Sequence, residues 1–327
     1  MRESRLAGPK VVALGGGHGL AASLTALRRV SGRLTAVVTV ADDGGSSGRL
    51  RQEFGVLPPG DLRMALAALC GDDDWGRTWA RVLQHRFAGA GELYDHAAGN
   101  LLIVALWELL GGHVEGLDWV ARLLGAQGRV LPMSSTPLDI HALVARAERA
   151  EGAAREVETV VGQHAVAIAT GRVVAVELVP PDPPACPEAL DAIAEADWVV
   201  LGPGSWFSSV IPHLLLPELR RALVETPARR MVTLNLSPEG AETEGFTPEM
   251  HLEVLAAYAP DLRIDSVVAD RASVPDEELL RRVADAFDAD VIVTDVAMDD
   301  GTPRHDPERL ARAYADTFAR GRIGPWR

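Results

Sequence analysis

The chain has little cysteine, almost no lysine and few aromatic residues, and each shortage removes a class of explanation. Its two cysteines, Cys70 and Cys186, share no CxxC or Cys/His spacing. That fits a reducing compartment, the cytoplasm, and leaves a structural zinc ion without a ligand set. Lys10 is the only lysine, which sets aside a Walker-type phosphate lysine and Schiff-base chemistry. Aromatic residues make up 5% of the sequence, and most of the tryptophans fall in one helical stretch, where packing is a commoner duty than base stacking. The longest apolar run, "LLIVALWELL", is broken by Glu108 and is too short to span a bilayer. The first ten residues lead into only four apolar ones before glycine begins, too few for a signal-peptide core. No histidine pair shows HExxH spacing and no serine sits in GxSxG, so zinc-dependent and serine hydrolysis lack their motifs. A formal net charge of −14 repels polyanions, so no broad nucleic-acid surface is expected, while local arginines can still hold a small phosphate.

What the chain has in quantity is short β-rich runs: "KVVALGGG", "LTAVVTVADD", "RVLPMS", "ADWVVLGPGS", "RRMVTLNLS", "IDSVVAD" and "DADVIVTDV". They consist mainly of Val, Ile, Leu or Thr without polar alternation, as in parallel strands covered on both faces. Helix-period stretches such as "LAASLTALRRV" and "PELRRALVET" lie between them. The pattern predicts an α/β fold, a Rossmann-like, doubly wound, mostly parallel sheet. From about residue 61 to 125, "DLRMALAALC", "WARVLQHRF" and "NLLIVALWELL" follow one another without a convincing strand, and read as a helical insertion in a single domain spanning 1–327. "ETVVGQHAVAIATGRVVAVELVPPDPPA" reads as a small β excursion with a proline-rich exit.

Three glycine-bearing loops follow buried strands. In "VVALGGGHGLAASLTAL", Gly15, Gly16, Gly17, His18 and Gly19 let the backbone approach a ligand, and the following helix N-terminus offers N–H groups to a phosphate. The spacing Gly17-x-Gly19-x-x-Ala22, with Asp42 downstream, also fits a dinucleotide fingerprint, so an NAD(P)-dependent enzyme is an alternative and a plain tight turn is another. "VTVADDGGSSGRLRQEFG" carries Asp42, Asp43, Gly44, Gly45, Ser46, Ser47 and Arg49. These supply carboxylates for a metal or hydroxyls, backbone donors for oxyanions, and a guanidinium for a phosphate or for bracing the aspartates; the bland reading is a solvated turn. "DWVVLGPGSWFSSVIPHLL" places Gly202, Gly204, Ser205, Ser208 and Ser209 at a helix start, suited to a second phosphate or a ribose. Strand ends in this fold converge on one crevice.

Single residues add to these loops. "PPGDLRMAL" offers Asp61 as an N-cap and Arg63 in the first helical turn, where a cation is disfavoured unless an anion is present. Asn100 precedes an apolar helix as a cap or a ligand contact, and Glu242 and Thr243 in "AETEGF" reach the site or belong to a surface loop. In "MDDGTPRHDPERLARAY", Asp306 and Pro307 read as the cap and first position of a helix. Arg304 then sits in the entering loop, where it meets a ligand or pairs with Asp299 or Asp300.

"GGGHGL", "ADDGGSSGRLR", "PPGDLR", "GNLL", "LGPGSWFSSVIPHLL", "AETEGF" and "RHD" occur in this order from Val11 to about Leu310. In that order the chain resembles the YvcK-like gluconeogenesis factors, within the CofD-like (2-phospho-L-lactate transferase) superfamily. The resemblance implies a nucleotide-type ligand at the carboxyl ends of the strands. In the YvcK-like branch the ligand implied is UDP-N-acetylglucosamine, and the role is in cell shape and cell-wall metabolism during growth on gluconeogenic carbon sources. In the CofD branch the same core transfers a phospholactyl group from a nucleotide diphosphate to the deazaflavin Fo with Mg2+. The pair "DDGGSSGRLR" and "PPGDLR" sides with the first branch. Trp206-Phe207-Ser208, His213 and Ser237-Pro238 depart from the common family pattern beside the ligand site. An arginine at the position of Arg304 looks like a ligand contact in this family, and Pro203 and Asn235 complete the candidate ligand set. No catalytic residue emerges. Mg2+ is the one cofactor implied, held by Asp42 and Asp43 if it is used. The expected function is a regulatory protein that binds a nucleotide sugar without turnover; the alternative is a Mg2+-dependent transferase whose arginines stabilise a diphosphate leaving group. Expected partners are the nucleotide-diphosphate sugar, regulatory proteins and a second copy of the chain, with no nucleic acid and no membrane span.

Overall fold

In a computed structural model that describes residues 8–146, 157–238 and 242–320, the seven apolar runs become the seven strands of one parallel sheet. In chain order the strands are β1 (Lys10–Gly15), β2 (Arg33–Val38), β3 (Arg129–Pro132), β4 (Asp139–Ala145), β5 (Val157–Val161), β6 (Arg172–Val179), β7 (Trp198–Leu201), β8 (Arg229–Thr233), β9 (Ser266–Asp270) and β10 (Asp290–Thr294). The main sheet has the order β10-β9-β8-β7-β1-β2-β3, and β4, β5 and β6 form a separate antiparallel sheet in the order β5-β4-β6. Residues Val11 to Leu14 and Val199 to Leu201 are at most 2% exposed, which explains why both central strands are apolar on both faces. Strand β1 lies between β2 and β7, so the strand order reverses there. In a doubly wound sheet that switch point opens a crevice at the carboxyl ends of the strands.

The helices are α1 (Gly17–Leu27), α2 (Gly45–Phe54), α3 (Gly60–Ala68), α4 (Asp74–Gln84), α5 (Ala98–Leu110), α6 (His113–Leu124), α7 (Gln163–Ile168), α8 (Pro187–Ala194), α9 (Pro212–Leu215), α10 (Pro217–Glu225), α11 (Pro248–Tyr258), α12 (Glu277–Ala284) and α13 (Pro307–Arg320), with a π-helical turn over Trp206–Val210. Helix α13 packs on α1, and the buried Tyr314 hydroxyl bridges Ser23 (2.9 Å) and Thr233 (3.0 Å). As expected, Asp306 caps α13, its Oδ1 accepting from the Glu308 and Arg309 N–H groups. No helix among the described residues is long and apolar enough to cross a membrane.

Two elements differ from the sequence expectation. The helical run between β2 and β3 begins at Gly45, because "GSSGRLRQEF" is helix α2 rather than a loop. Its last six residues are straight-chain helix formers or aromatic, and Gly55 ends it in the left-handed conformation with φ 64°. A Cβ at Gly48 would collide with the Asp43 carbonyl, so glycine is required for that close approach. The small β excursion read from Glu158 onward is built on a strand that precedes it, β4, which holds the start of α7: Gly162 N–H donates to the Ile140 carbonyl at 2.8 Å.

Candidate functional site

The carboxyl ends of β1, β2 and β7 deliver three segments to one place, and glycines are what let them meet. A Cβ on Gly19 would collide with the Pro203 carbonyl and the Gly204 backbone, so the first and third glycine loops are in backbone contact. A Cβ on Gly16 would lie 2.5 Å from Asp61 Oδ2 and 3.3 Å from Ser209 Oγ. One on Gly60 would collide with Ser47 Oγ and lie 2.6 Å from Asp42 Oδ2. The starts of α1, α2 and α3 are therefore neighbours around a common crevice. A separate cleft of about 740 Å³ at the amino ends of β1 to β3 touches none of these residues.

Asp61 is not an N-cap. It lies in the first turn of α3 behind Pro59, is 8% exposed, and reaches across to the Gly17 N–H at the start of α1. Among the described residues its buried Oδ2 accepts no hydrogen bond, and the Gln163 side chain stands near enough to favour the ionised carboxylate. Burial first, and the neighbouring Asp42 charge second, push its pKa up to about 7. Asp42 turns one oxygen back to the Gly44 N–H (3.0 Å) and the other toward Gly60. Asp43 does not face the crevice: its Oδ1 accepts from the His164 N–H at 2.9 Å and its carboxylate lies against Gly162, fastening α7 to the main sheet.

A polar network fills the other side. The Arg63 guanidinium is 4% exposed, donates to Asn100 Oδ1 at 2.9 Å and to Gln84, and has no carboxylate within ion-pairing distance among the described residues. Burial and the nearby Arg86 draw its pKa down to about 10, against the smaller opposing pull of the Asp61 and Asp42 charges. Asn100 donates onward to Ser46 Oγ (3.0 Å), which also accepts from the Ala97 N–H (3.2 Å). With both lone pairs of its oxygen used, Ser46 gives its own proton to His96 Nδ1 at 3.1 Å. His96 is thereby fixed as the neutral Nε2–H tautomer, in keeping with burial and Arg49, which lower its pKa. Asn100 is thus an interior bridge rather than a helix cap. The Ser46 side chain is engaged within the protein, but the backbone N–H groups of Gly45, Ser46 and Ser47 at the start of α2 meet no acceptor among the described residues.

Other expected contacts are placed differently. Arg49 neither braces the aspartates nor points at the crevice; it donates to the Tyr94 carbonyl at 2.7 Å and holds the 86–97 loop. The donors of the π-helical turn are taken by Glu242, whose carboxylate accepts from the Phe207 N–H, the Ser208 N–H (2.8 Å) and the Ser208 hydroxyl (3.1 Å). The Ser208 donors expected to meet a phosphate or a ribose are thus occupied by an internal carboxylate in this structure. Asn235 spends its amide on Gly204, accepting from its N–H (2.8 Å) and donating to its carbonyl (3.0 Å), and so shapes the loop of Gly202, Pro203, Gly204 and Ser205. Arg304 lies on the carboxyl-end rim toward β10, exposed and paired with Asp300 at 2.7 Å, the bland arrangement considered for it. His18 is exposed at the start of α1.

Sequence reasoning missed His96, Gln84 and Gln163, whose amide donates to the Ser208 carbonyl at 3.1 Å. His96 and Gln84 carry no motif; Gln163 follows the glycine in "VVGQH", a turn signal that marks a helix start but not its target.

Comparison with known proteins agrees with this architecture. A family model described as 2-phospho-L-lactate transferase CofD matches residues 11–303. A Mycobacterium tuberculosis protein named "Putative gluconeogenesis factor" is 53% identical over 95% of this chain and 90% of its own length. The Bacillus subtilis protein named "Gluconeogenesis factor" is 34% identical over 82% of this chain and 81% of its own length. A crystal structure of a UPF0052 family member from Bacillus halodurans superposes with a TM-score of 0.82 at 30% identity, covering 94% of this chain and 98% of that one. With its fold, its ordered motifs and these matches in agreement, the chain belongs to the CofD family, among its YvcK-like gluconeogenesis factors.

Proposed function

We propose that the crevice binds the diphosphate of a nucleotide sugar of the UDP-N-acetylglucosamine type, and that the protein acts as a gluconeogenesis factor by binding this ligand rather than turning it over. The observation that carries the proposal is Arg63. The guanidinium hydrogen-bonds only neutral amides, and the Asp61 and Asp42 carboxylates favour its charge from a distance without pairing with it, so an arriving anion can still bond to it directly. The free N–H groups of α2 stand one side chain away, through Asn100 and Ser46. Together they offer a dipole and a full charge to one phosphate. As in the YvcK-like branch, the downstream effect would be on cell shape and cell-wall metabolism during gluconeogenic growth.

Mg2+ fits beside this subsite, held by Asp42 and Asp61 rather than by Asp42 and Asp43. The unpartnered Asp61 Oδ2 near Asp42 is the feature that supports it. No cluster of three or more His, Cys, Asp or Glu side chains suited to a metal occurs among the described residues, and Mg2+ customarily takes one or two carboxylates plus phosphate oxygens and water. When bound it would neutralise diphosphate charge. The transferase alternative shares this pair, but His96, the buried base nearest the network, already accepts the Ser46 proton.

Titration calorimetry with UDP-N-acetylglucosamine and Mg2+, on wild type and Arg63→Gln, tests the reading. Loss of a charge-assisted phosphate contact should weaken binding by about ten- to a hundredfold, with the ligand recovered intact. Unchanged affinity would move the phosphate elsewhere, split products would favour the transferase, and stabilisation by NADH but not by nucleotide sugars would favour the dinucleotide alternative.

A further inference from the structure

The two sheets have four outer edges, and three of them are blunted. On β10 the Arg281 and Arg271 guanidinium groups donate to the Val291 carbonyl (3.2 Å) and the Val293 carbonyl (3.3 Å). On β6 the Val176 N–H donates to the Tyr258 hydroxyl at 2.8 Å. Strand β3 is short and carries Pro132, whose nitrogen has no proton to offer a neighbour. Side chains laid on the edge, proline and short length are devices that keep a sheet from adding a further strand. Strand β5, Val-Glu-Thr-Val-Val, has no proline, and no side chain bonds its backbone among the described residues.

The bond from the Gly162 N–H to the Ile140 carbonyl fixes which way β5 faces. Hydrogen-bonded and non-hydrogen-bonded pairs alternate along an antiparallel ladder. In the register of β5 on β4, that alternation turns the N–H and carbonyl groups of Val157, Thr159 and Val161 away from β4, toward the open edge. The side chains of the same three residues share one exposed face, with Val157 53% and Val161 55% exposed. Glu158 lies on the other face and is paired with Arg146, just past β4, at 2.6 Å.

We propose that β5 is an edge on which two copies of this chain pair, antiparallel about a two-fold axis through Thr159, so that two small sheets become one continuous antiparallel sheet. The strand is its own complement in that register. Val157 of each copy faces Val161 of the other, Thr159 faces Thr159, and Glu158 faces Val160, so no like charges are opposed. The three free residues of each copy exchange about six backbone hydrogen bonds in all. A strand from an unrelated protein would be under no such constraint; a match of the edge to itself in hydrogen bonding, side chains and charge favours a second copy, because a two-fold contact must be self-complementary. An edge about 17 Å long buries less than the ~800 Å² per partner of a long-lived interface, so the dimer is reversible, with a micromolar dissociation constant. Strand β5 runs straight into α7, whose His164 N–H bonds Asp43 and whose Gln163 bonds the Ser208 carbonyl, so the two copies are joined beside their crevices.

Sedimentation velocity of the full chain, from low micromolar to several hundred micromolar, should show a reversible equilibrium between monomer and dimer. Thr159→Pro removes the N–H at the axis from each copy and should raise the dissociation constant by about tenfold or more. Thr159→Lys, which keeps the backbone bonds but sets two ammonium groups against each other, should also weaken the dimer, with the circular dichroism spectrum unchanged. Cross-linking reads the register. Cys70 and Cys186 are buried, so an introduced cysteine reports alone under mild oxidation. Thr159→Cys should form a disulfide-linked dimer, since Cα atoms of such a pair lie about 5.5 Å apart. Val157→Cys alone should not, whereas Val157→Cys mixed with Val161→Cys should. A monomer at every concentration would leave this edge to a strand of another protein and overturn the proposal. So would a dimer indifferent to both Thr159→Pro and Thr159→Lys, or one that Val157→Cys cross-links as readily as Thr159→Cys.

Discussion

Asp61→Asn should make the protein more stable and its crevice less useful. Asp61 has its pKa raised from 3.8 to about 7 by burial and by Asp42. Between those two values the native state holds a proton that the unfolded chain has released, so native stability falls as pH rises through that window. By pH 8 the accumulated loss is about 4 kcal/mol, three pKa units at about 1.4 kcal/mol each. Asparagine keeps an oxygen for the Gly17 N–H, puts an uncharged amide in place of the unpartnered Oδ2 and removes the repulsion from Asp42. Urea denaturation at pH 4.5 and pH 8 should therefore show little difference between variant and wild type at the lower pH, and a gain of several kcal/mol for the variant at the higher. Mg2+ should raise the wild-type melting temperature at pH 8, by stabilising the ionised carboxylate, and leave the variant unmoved. A variant less stable than wild type at pH 8, or a difference independent of pH, would refute the picture of a carboxylate held ready at a cost.

Gly19→Ala should destabilise by about 1–3 kcal/mol in thermal unfolding, because its Cβ meets backbone at Pro203 and Gly204 that cannot rotate away; a neutral effect would mean that the two loops are not in contact. Glu242→Gln should cost about 1–2 kcal/mol, the difference between charged and neutral acceptors for the Phe207 and Ser208 donors, read as a lower urea midpoint with unchanged m-value. Arg304→Ala should leave unfolding unchanged, since its one ion pair is exposed, while weakening nucleotide-sugar binding about tenfold in calorimetry; unaltered affinity would confine Arg304 to its pair with Asp300.

The main sheet was legible because buried parallel strands write themselves as unbroken apolar runs, and all seven such runs are its strands. Strand β4, "DIHALVA", escaped that criterion. Only Ile140, Ala142 and Val144 point inward while Asp139 and His141 face outward, so its period is two and its sheet is covered on one face. Helix α2 was hidden by its own glycines and serines, which look like turn residues until Gly48 is seen pressed on the Asp43 carbonyl. The crevice was legible as a place, through strand ends and glycine loops, and less so as a set of roles. Whether Asp43 meets a ligand or an α7 N–H depends on a segment 121 residues later in the chain, and Ser208 likewise depends on Glu242, 34 residues on. Local patterns identify donors and acceptors; only the folded chain decides which of them satisfy one another.

That distinction gives the crevice a polarity. Four candidate anion positions lie at the carboxyl ends of the strands, and the chain's own carboxylates fill two: Asp61 at the start of α1 and Glu242 at the π-helical turn. Glu242 is 1% exposed and bonded to three donors, so displacing it would strand a charge in the interior at a cost of several kcal/mol. Asp61 differs, because it has an unpartnered oxygen and a raised pKa, and a cation or a proton can satisfy it. The remaining two positions, the α2 start and Arg63, have no carboxylate bonded to them among the described residues. On the proposed reading an external anion would be directed to the β2 side of the crevice, with its counter-cation or hydroxyls toward Asp42 and Asp61. Among ligands with two phosphates, one bearing a hydroxyl-rich group beyond the second phosphate matches this order of charges, whereas a ligand ending in phosphate would leave the carboxylate pair facing a like charge.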